Sequence, residues 1–277
     1  MVVPKYCSTF MRLALAAGLS LTGAAVLAQS EAGGGDDSAE LAKKLSNPIA
    51  SLISVPFKYD WDTGIGPAGA DRSTLTVQPV IPFSLNADWN VISRTIVPLI
   101  DAQSPVANGS SQSGLGDVNQ SFFFGPKAPT SSGWIWAVGP VFLLPTASKD
   151  ALGGGKLGVG PTAVVLKQES GWTVGVLANQ IWSVAGSGGR AAISATYVQP
   201  FLAYTTKTYT SFGLNTESTY NWKTSQWTVP INLSVSQLVK IDKQPVSFLL
   251  GVRSYASAPT GGPDWGLRFT MTLLFPK

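Results

Sequence analysis

Two segments near the end of the chain alternate between apolar and polar positions. Between 227 and 235 every odd position is apolar, and between 265 and 275 the odd positions are apolar again while Arg268 and two threonines occupy even ones. Successive side chains of a strand point to opposite faces, so each segment has one apolar and one polar face. At roughly ten to thirteen residues, these strands exceed the usual globular length and match the length that crosses a bilayer at a tilt.

The same pattern predicts about twelve strands, near 51–61, 73–84, 89–100, 117–126, 134–145, 156–167, 171–184, 194–205, 209–222, 226–239, 245–256 and 265–275. Long connections, beginning with 62–72, alternate with short ones, although the link 223–225 is short where a long one is expected. Outer-membrane barrels have short periplasmic turns and longer outer loops. We therefore predict an all-β fold, a transmembrane antiparallel up-and-down β-barrel of about 12 strands, over residues 51–277.

Tryptophans and prolines bear on this prediction in opposite ways. Eight tryptophans stand at predicted strand ends, which favours two aromatic belts at the membrane surfaces rather than a sandwich core: Trp61, Trp89, Trp134, Trp172, Trp182, Trp222, Trp227 and Trp265. Seven prolines lie inside predicted strands, where each removes a ladder hydrogen bond: Pro79, Pro82, Pro98, Pro140, Pro161, Pro200 and Pro230. A closed barrel has no edge strand to accommodate them, so we predict bulges or kinks at these positions.

The first residues have the organisation of a secretion signal. Lys5 and Arg12 precede an apolar stretch of small residues that ends in an A-x-A-like cleavage site at Ala28. This predicts a signal peptide over 1–28, with Met11 as an alternative start. Localisation in the cell outer membrane of a Gram-negative organism follows from a signal peptide ahead of a barrel.

A periplasmic N-terminal segment is predicted over 29–50. Asp37–Glu40 resembles a capping box, and Leu41–Leu45 can complete one or two helical turns before Asn47–Pro48 ends them. The alternative is a loosely ordered terminus.

The composition excludes several function classes. Only 12% of the 277 residues are charged, and without residues 1–28 the chain has 17 basic against 15 acidic residues, so nothing points to nucleic acid as a partner. The lone Cys7 lies in the predicted leader, and there is no histidine. Histidine-based catalysis and the commonest metal ligand are therefore excluded, and we predict no enzyme activity, no metal and no cofactor. Asp60, Glu217 and Asp117 are the few carboxylates that could form an acidic pair.

Strand parity assigns a set of polar residues to the lumen. A charge that faces hydrocarbon costs about 2–4 kcal/mol, so Arg253 and Arg268 in mid-strand are predicted to face inward. The complete lumen-lining set is Lys58, Asp60, Gln78, Asn179, Asn215, Glu217, Asn221, Asn232, Arg253 and Arg268. Two interpretations remain open: these groups contact a solute, or they pair with one another and fill the interior, and a barrel of about twelve strands favours a narrow or partly plugged lumen.

Several short sequence motifs resemble those of a family of Gram-negative outer-membrane transporters that is grouped with the phenol meta-pathway barrel proteins. They include Gln78–Phe83, Ser121–Lys127, Trp134–Val141, Gly160–Thr162, Val229–Asn232, Gly262–Gly266 and Leu273–Lys277, so the resemblance covers nearly the whole chain after the leader. It implies a barrel similar to those that admit hydrophobic or aromatic compounds, and no functional residue is carried over. The ending departs from a terminal aromatic, because Pro276 and Lys277 follow Phe275.

Two hypotheses for function follow. The first is an outer-membrane channel for passive uptake of small solutes, including aromatic or hydrophobic ones. The second is a closed structural barrel, or one that binds through its surface loops, without transport. In both, the expected partners are outer-membrane lipid and the barrel-assembly machinery; the first adds a small-molecule solute.

Overall fold

A computed structural model describes residues 35–276, which form one α-helix, a large antiparallel sheet and a single 3₁₀ turn at Asp150–Leu152. The predicted signal peptide lies outside the described residues. The helix is α1 (Gly35–Leu45). The strands are β1 (Ile53–Ile65), β2 (Ala70–Val77), β3 (Val80–Ser84), β4 (Trp89–Ala102), β5 (Gln112–Leu115), β6 (Val118–Pro126), β7 (Trp134–Leu144), β8 (Lys156–Glu169), β9 (Trp172–Gly186), β10 (Ser194–Thr205), β11 (Thr210–Thr216), β12 (Ser218–Asn221), β13 (Gln226–Ile241), β14 (Gln244–Ser257) and β15 (Trp265–Phe275).

The sheet closes on itself as a barrel of twelve strands, which confirms the predicted fold class. Each strand pairs with its neighbours in the chain, and the last strand, β15, pairs with β1 so that Arg268 lies opposite Asp60. Fifteen segments make twelve barrel strands because three strands are interrupted once each. The interruptions separate β2 from β3, β5 from β6, and β11 from β12.

Prolines account for part of these irregularities, as the sequence suggests. Pro79 lies in the break between β2 and β3, and the pairing of β13 with β14 shifts register between Val229 and Pro230. Pro140 on β7 lies opposite Pro161 on β8. Since proline has no N–H to donate, it weakens the ladder locally, and the rest of the closed sheet holds these positions in place.

The barrel is apolar outside and largely polar inside. Leu233 on β13 is 54% exposed, whereas the adjacent Asn232 is 2% exposed. On β15, Leu267 and Phe269 are 47% and 42% exposed on either side of Arg268, which is 8% exposed. An exposed apolar surface that runs around a closed barrel is the surface that lipid chains cover. The predicted parity is confirmed on both strands.

The two ends of the barrel differ, and both carry exposed tryptophans. Short turns such as 170–171 and 242–243 mark the periplasmic end, while connections such as 145–155 and 258–264 lie at the outer end. The first outer connection is shorter than predicted, because β1 and β2 extend into the expected loop 62–72 and leave a turn over 66–69. Trp134 and Trp172 are exposed at the periplasmic end, and Trp182 and Trp265 at the outer end.

One part of the inner face is apolar rather than polar. Near the periplasmic end, inward positions of β3, β4 and β6–β9 form a buried cluster: Val80, Ile92, Phe123, Ala137, Val164, Leu166 and Leu177. Ile49, which precedes the first strand, belongs to the same cluster. The inner face is apolar here because it packs against the N-terminal segment of the chain.

The helix α1 lies across the inner side of the periplasmic mouth. Its described part, Gly35–Leu45, is longer than the one or two turns predicted from Leu41 to Leu45, and Asp37 lies within the helix. Its buried residues Leu41 and Ala42 pack with Leu238 of β13 and Leu274 of β15. One turn before Lys44 on the same helix, Glu40 accepts a hydrogen bond from Lys44, and this contact lowers the pKa of the Glu40 carboxyl.

Two hydrogen bonds connect the N-terminal segment 41–52 to inward-facing residues of the barrel. Gln168 of β8 donates to the backbone carbonyl of Lys43 at 2.8 Å, and Asn90 of β4 donates to Ser51 Oγ at 2.9 Å. The strands that contact the segment are spread around the ring, and β8 and β15 lie on nearly opposite sides of it. The segment therefore spans the mouth instead of lining one wall. In the described part of the chain, no helix has the length and apolar character needed to cross a membrane.

Candidate functional site in the barrel lumen

The centre of one lumen wall is an arginine held by two carboxylates. Arg268 donates from Nε and Nη2 to the two carboxylate oxygens of Asp60, at 2.6 and 3.0 Å. It also donates from Nη1 and Nη2 to the two oxygens of Glu217, at 3.0 and 2.7 Å. Bidentate contacts of this kind combine charge with fixed geometry and are among the strongest in proteins. Arg268 joins β1, β15 and the β11–β12 break on the inner face.

A second arginine extends the same arrangement toward the outer end. Arg253 Nη1 lies 2.8 Å from Asp60 Oδ2 and 3.6 Å from Asp62 Oδ1. Its Nη2 donates to the hydroxyl of Tyr255, which in turn donates to Asp62 Oδ1 at 2.9 Å. Gly266 lies between Asp62 and Arg253 in the register, and a Cβ there would stand 2.6 Å from Asp62 Oδ1. The missing side chain gives Arg253 the space to reach across β15.

Lys58 completes what we call the lumen ion-pair cluster: Lys58, Asp60, Asp62, Glu217, Arg253 and Arg268. Lys58 Nζ lies 3.8 Å from Asp60 and 3.7 Å from Glu217. Its side chain is 23% accessible and that of Glu217 is 17% accessible, while Asp60, Arg253 and Arg268 are buried. Buried charges are tolerated when each is paired and hydrogen-bonded. Here the three acidic groups pair with the three basic ones, and the more exposed Arg72 also lies 3.6 Å from Asp62.

The other predicted lumen residues have more varied surroundings. Asn232 donates to Asn215 Oδ1 at 2.9 Å, and Gln78 accepts from Arg94 Nη2 at 3.5 Å. Asn179 is half-buried on β9, on the inward parity of Leu177. Asn221 is exposed at the outer end of β12, where its side-chain oxygen accepts the amides of the following turn. That all ten residues line a solute path stays a prediction.

Sequence reasoning missed four inward-facing residues. Asp62 falls in the predicted loop 62–72 because the first strand is predicted to end at Trp61, and Tyr255 shares the parity of Arg253 but is absent from the predicted lumen set. The other two are Arg94 on β4 and Tyr197 on β10, the strand that pairs with β12 next to Glu217. The alternation of β4 is blurred because its inner face is itself apolar at Ile92, although a charge in mid-strand is a signal that should have placed Arg94 inside.

The candidate carboxylates do not form an acid–base pair in the structure. Asp60 and Glu217 are both engaged by Arg268, and Asp117 accepts the loop amides of Ala147 and Gly154 at 3.1 and 2.6 Å. Asp117 thus organises the glycine-rich outer loop that follows β7. Among residues 35–276, no three acidic or cysteine side chains are grouped in a way that could hold a metal ion.

Comparisons with known proteins give matches in structure alone. No protein-family model matches the sequence, and no curated protein matches it significantly. The fold resembles the COG4313 outer membrane channel from Pseudomonas putida F1, with a TM-score of 0.64 and 13% identity over 81% of this chain and 96% of that one. This likeness agrees with the barrel fold that the resemblance in the sequence implies.

Other solved structures are less similar. The NanC porin has a TM-score of 0.49 and 8% identity over 81% of this chain and 100% of its own. Outer membrane phospholipase A from Escherichia coli has a TM-score of 0.47 and 12% identity over 85% of this chain and 98% of its own. At such identities the likeness concerns the fold alone. With its lipid-compatible exterior, this fold is that of an outer-membrane β-barrel.

Proposed function

We propose that the protein is an outer-membrane channel for passive uptake of small solutes, and that it is not an enzyme. The observation that supports this most is the partial accessibility of charged side chains inside a closed barrel: Lys58 at 23% and Glu217 at 17%. This accessible surface faces the lumen, since the outer face of the same strands is apolar. Its likeness in fold to a solved outer membrane channel supports the same proposal.

In this proposal the ion-pair cluster sets the width and the charge of the path. Rings of charged side chains determine which solutes pass a pore. The cluster is close to neutral, which favours neutral or weakly hydrophobic small molecules. Replacing Arg253 and Arg268 by serine would leave Asp60 and Glu217 without arginine partners, and ion preference would shift toward cations.

The N-terminal segment 41–52 keeps the path narrow at the periplasmic mouth. It crosses the mouth through apolar contacts with Leu238 and Leu274 and two hydrogen bonds, so the barrel conducts weakly while the segment stays in place. The same observation favours the second candidate function, a closed structural barrel. The two functions differ in whether displacement of the segment opens a path.

A pair of substitutions in α1 tests the proposal. Ala42 is 2% exposed against the barrel wall, whereas Ala39 is exposed on the same helix. Ala42→Asp buries a carboxylate among leucines and should release the segment, while Ala39→Asp should not. We expect conductance in planar bilayers and liposome swelling to rise several-fold for Ala42→Asp alone. If wild type and both folded variants neither conduct nor swell faster than empty vesicles, uptake is wrong and the closed barrel is the better description.

A further inference from the structure

A cavity of about 420 Å³ lies at the outer mouth of the barrel, beside the loop that joins β9 to β10. Its lining includes Arg190, Ala191, Ala192, Ile193, Ala195 and Asn221. Ala195 has the inward parity of Tyr197, which packs against the buried inner cluster, and Asn221 lies opposite Ala195 in the register. The cavity therefore opens to the lumen rather than to lipid, and its volume is in the range of small-molecule sites.

Arg190 supplies the cavity with a positive charge that no carboxylate contacts. Its Nε and Nη2 donate to the backbone carbonyls of Asp150, Gly153 and Gly154, and these contacts join the two outer loops. The carboxylate of Asp117 accepts two amides of the loop 145–155. Within residues 35–276, no carboxylate lies within ion-pair distance of the Arg190 guanidinium, and its Nη1 has no acceptor. Nη1 is therefore available to a ligand.

The other polar groups of the lining are mainly hydrogen-bond donors. Asn221 Oδ1 accepts the amides of Lys223 and Thr224, which leaves the Nδ2 group of Asn221 as a donor. The backbone N–H groups of Ala191 and Ala192 have no acceptor in the part of the chain that the structure describes. The carbonyls of the facing loop, in contrast, are occupied by Arg190. A lining that offers donors and one uncompensated positive charge fits an anion.

We propose that this cavity is an entry site for small aliphatic organic acids, in which the ligand carboxylate pairs with Arg190 and accepts from Asn221. The methyl groups of Ala191, Ala192 and Ala195 favour a short aliphatic body over an inorganic anion, since such a body gains from leaving water. A cation at the mouth raises the local concentration of anions. The site thus adds a charged substrate class to the proposed channel function, and it rests on that function for the onward route alone.

Calorimetric titration of the refolded mature protein with sodium butyrate tests the site. Butyrate has a carboxylate on a short aliphatic chain, butyramide has the same shape without charge, and formate has the charge without the chain. We expect butyrate to bind, and butyramide, formate and inorganic phosphate to bind at least about tenfold more weakly. Equal binding of butyramide would overturn the role of charge, and equal binding of formate or phosphate would overturn the assignment to organic acids.

A pair of asparagine variants locates the site. Asn221→Asp keeps Oδ1 for the two turn amides and replaces the donor Nδ2 by a second carboxylate oxygen. It should repel the ligand and weaken butyrate binding about tenfold or more. The matched control is Asn86→Asp at the periplasmic end, because Asn86 Oδ1 also accepts two turn amides, those of Asp88 and Trp89. The control should bind butyrate like wild type.

A pair of cation variants tests the charge itself. Arg190→Gln should weaken butyrate binding about tenfold or more, whereas Lys149→Gln removes an exposed cation of the facing loop and should bind like wild type. Arg190→Gln also loses contacts between the loops, so Asn221→Asp, which leaves those contacts in place, keeps the test decisive.

Wild-type affinity in either Asn221→Asp or Arg190→Gln, or no binding of butyrate by wild type, would overturn the proposal. Binding is measured here without any transport, so the two proposals can fail separately. Butyrate binding that depends on both residues in a barrel that never conducts would leave the site standing and remove the channel.

Discussion

The two lumen walls treat buried charge in opposite ways. On the wall formed by β1, β14, β15 and the β11–β12 break, Arg253 and Arg268 share Asp60, Asp62 and Glu217. On the wall formed by β3, β4 and β6, Arg94 has a single long contact with an amide. Both walls face the same lumen, so the difference between these arginines arises from the side chains that are available to pair with each of them.

This difference separates arginines that belong to a hydrogen-bonded network from one that does not. A network in which each charge is paired contributes rigidity and leaves little capacity for another ligand. An unpaired guanidinium next to apolar side chains has that capacity and contributes little stability. The ion-pair cluster therefore contributes rigidity to its part of the barrel, whereas Arg94 keeps an unused donor at Nε.

Asp60→Asn should have the largest effect on stability. Asp60 accepts from Arg268 and contacts Arg253, so its loss leaves two buried guanidinium groups short of a partner, at a cost of about 3 kcal/mol in the free energy of unfolding. Urea titration in lipid vesicles measures this value. Asp101→Asn, an exposed carboxylate on β4, is the control and should change stability by less than about 0.5 kcal/mol. A similarly small change for Asp60→Asn would mean that the cluster is not structural.

Leu233→Arg measures how much a charge on the outer face lowers the free energy of unfolding. The effects of substitutions on both lumen walls can be compared with that value. Leu233 is exposed at the middle of β13, where lipid would surround it, and we expect a loss of about 2–3 kcal/mol. Ile241→Arg is the control on the same strand and the same face, but at the periplasmic end, where the cost should be about 0–1 kcal/mol. Equal penalties at the two depths would contradict a membrane-spanning β13.

Arg94→Met should have the smallest effect and the opposite sign. It removes an unpaired charge from apolar surroundings and keeps most of the side-chain volume, so we expect the free energy of unfolding to stay unchanged or to rise by about 1 kcal/mol. The measurement is the same urea titration. A loss above about 2 kcal/mol would show that Arg94 has a structural partner, and the contrast between the walls would disappear.

The sequence predicts the barrel well because its signal is periodic and repeated. The twelve strands and the inward position of Arg268 and Asn232 all follow from parity, since a one-residue shift would turn charges toward lipid. The alternation of apolar and polar residues does not distinguish the two faces of a strand where both are apolar, as on β4 around Ile92. This is why Arg94 is absent from the predicted lumen set. It also says nothing about partners: which carboxylate pairs with Arg268 depends on register across β1, β15 and β11.

The position of α1 could not be predicted for a related reason. The apolar residues Leu41 and Leu45 indicate a face that needs burial, but they do not identify the surface that buries it. That surface consists of Leu238 and Leu274, inward positions near the periplasmic ends of strands that are far away in the chain. The local sequence pattern predicts the helix, but the position of the helix depends on which strands the closed barrel brings together at the periplasmic mouth.

Ion selectivity tests the contrast between the walls most directly. The measurement is the reversal potential across a KCl gradient, in channels opened by Ala42→Asp. We predict that adding Arg94→Gln, which removes an uncompensated positive charge, lowers the permeability ratio of chloride to potassium several-fold. Replacing Asp60 by Asn together with Arg268 by Gln removes one charge of each sign and should leave that ratio nearly unchanged. The opposite ranking, or equal ratios in all three channels, would contradict the contrast between the paired arginines and Arg94.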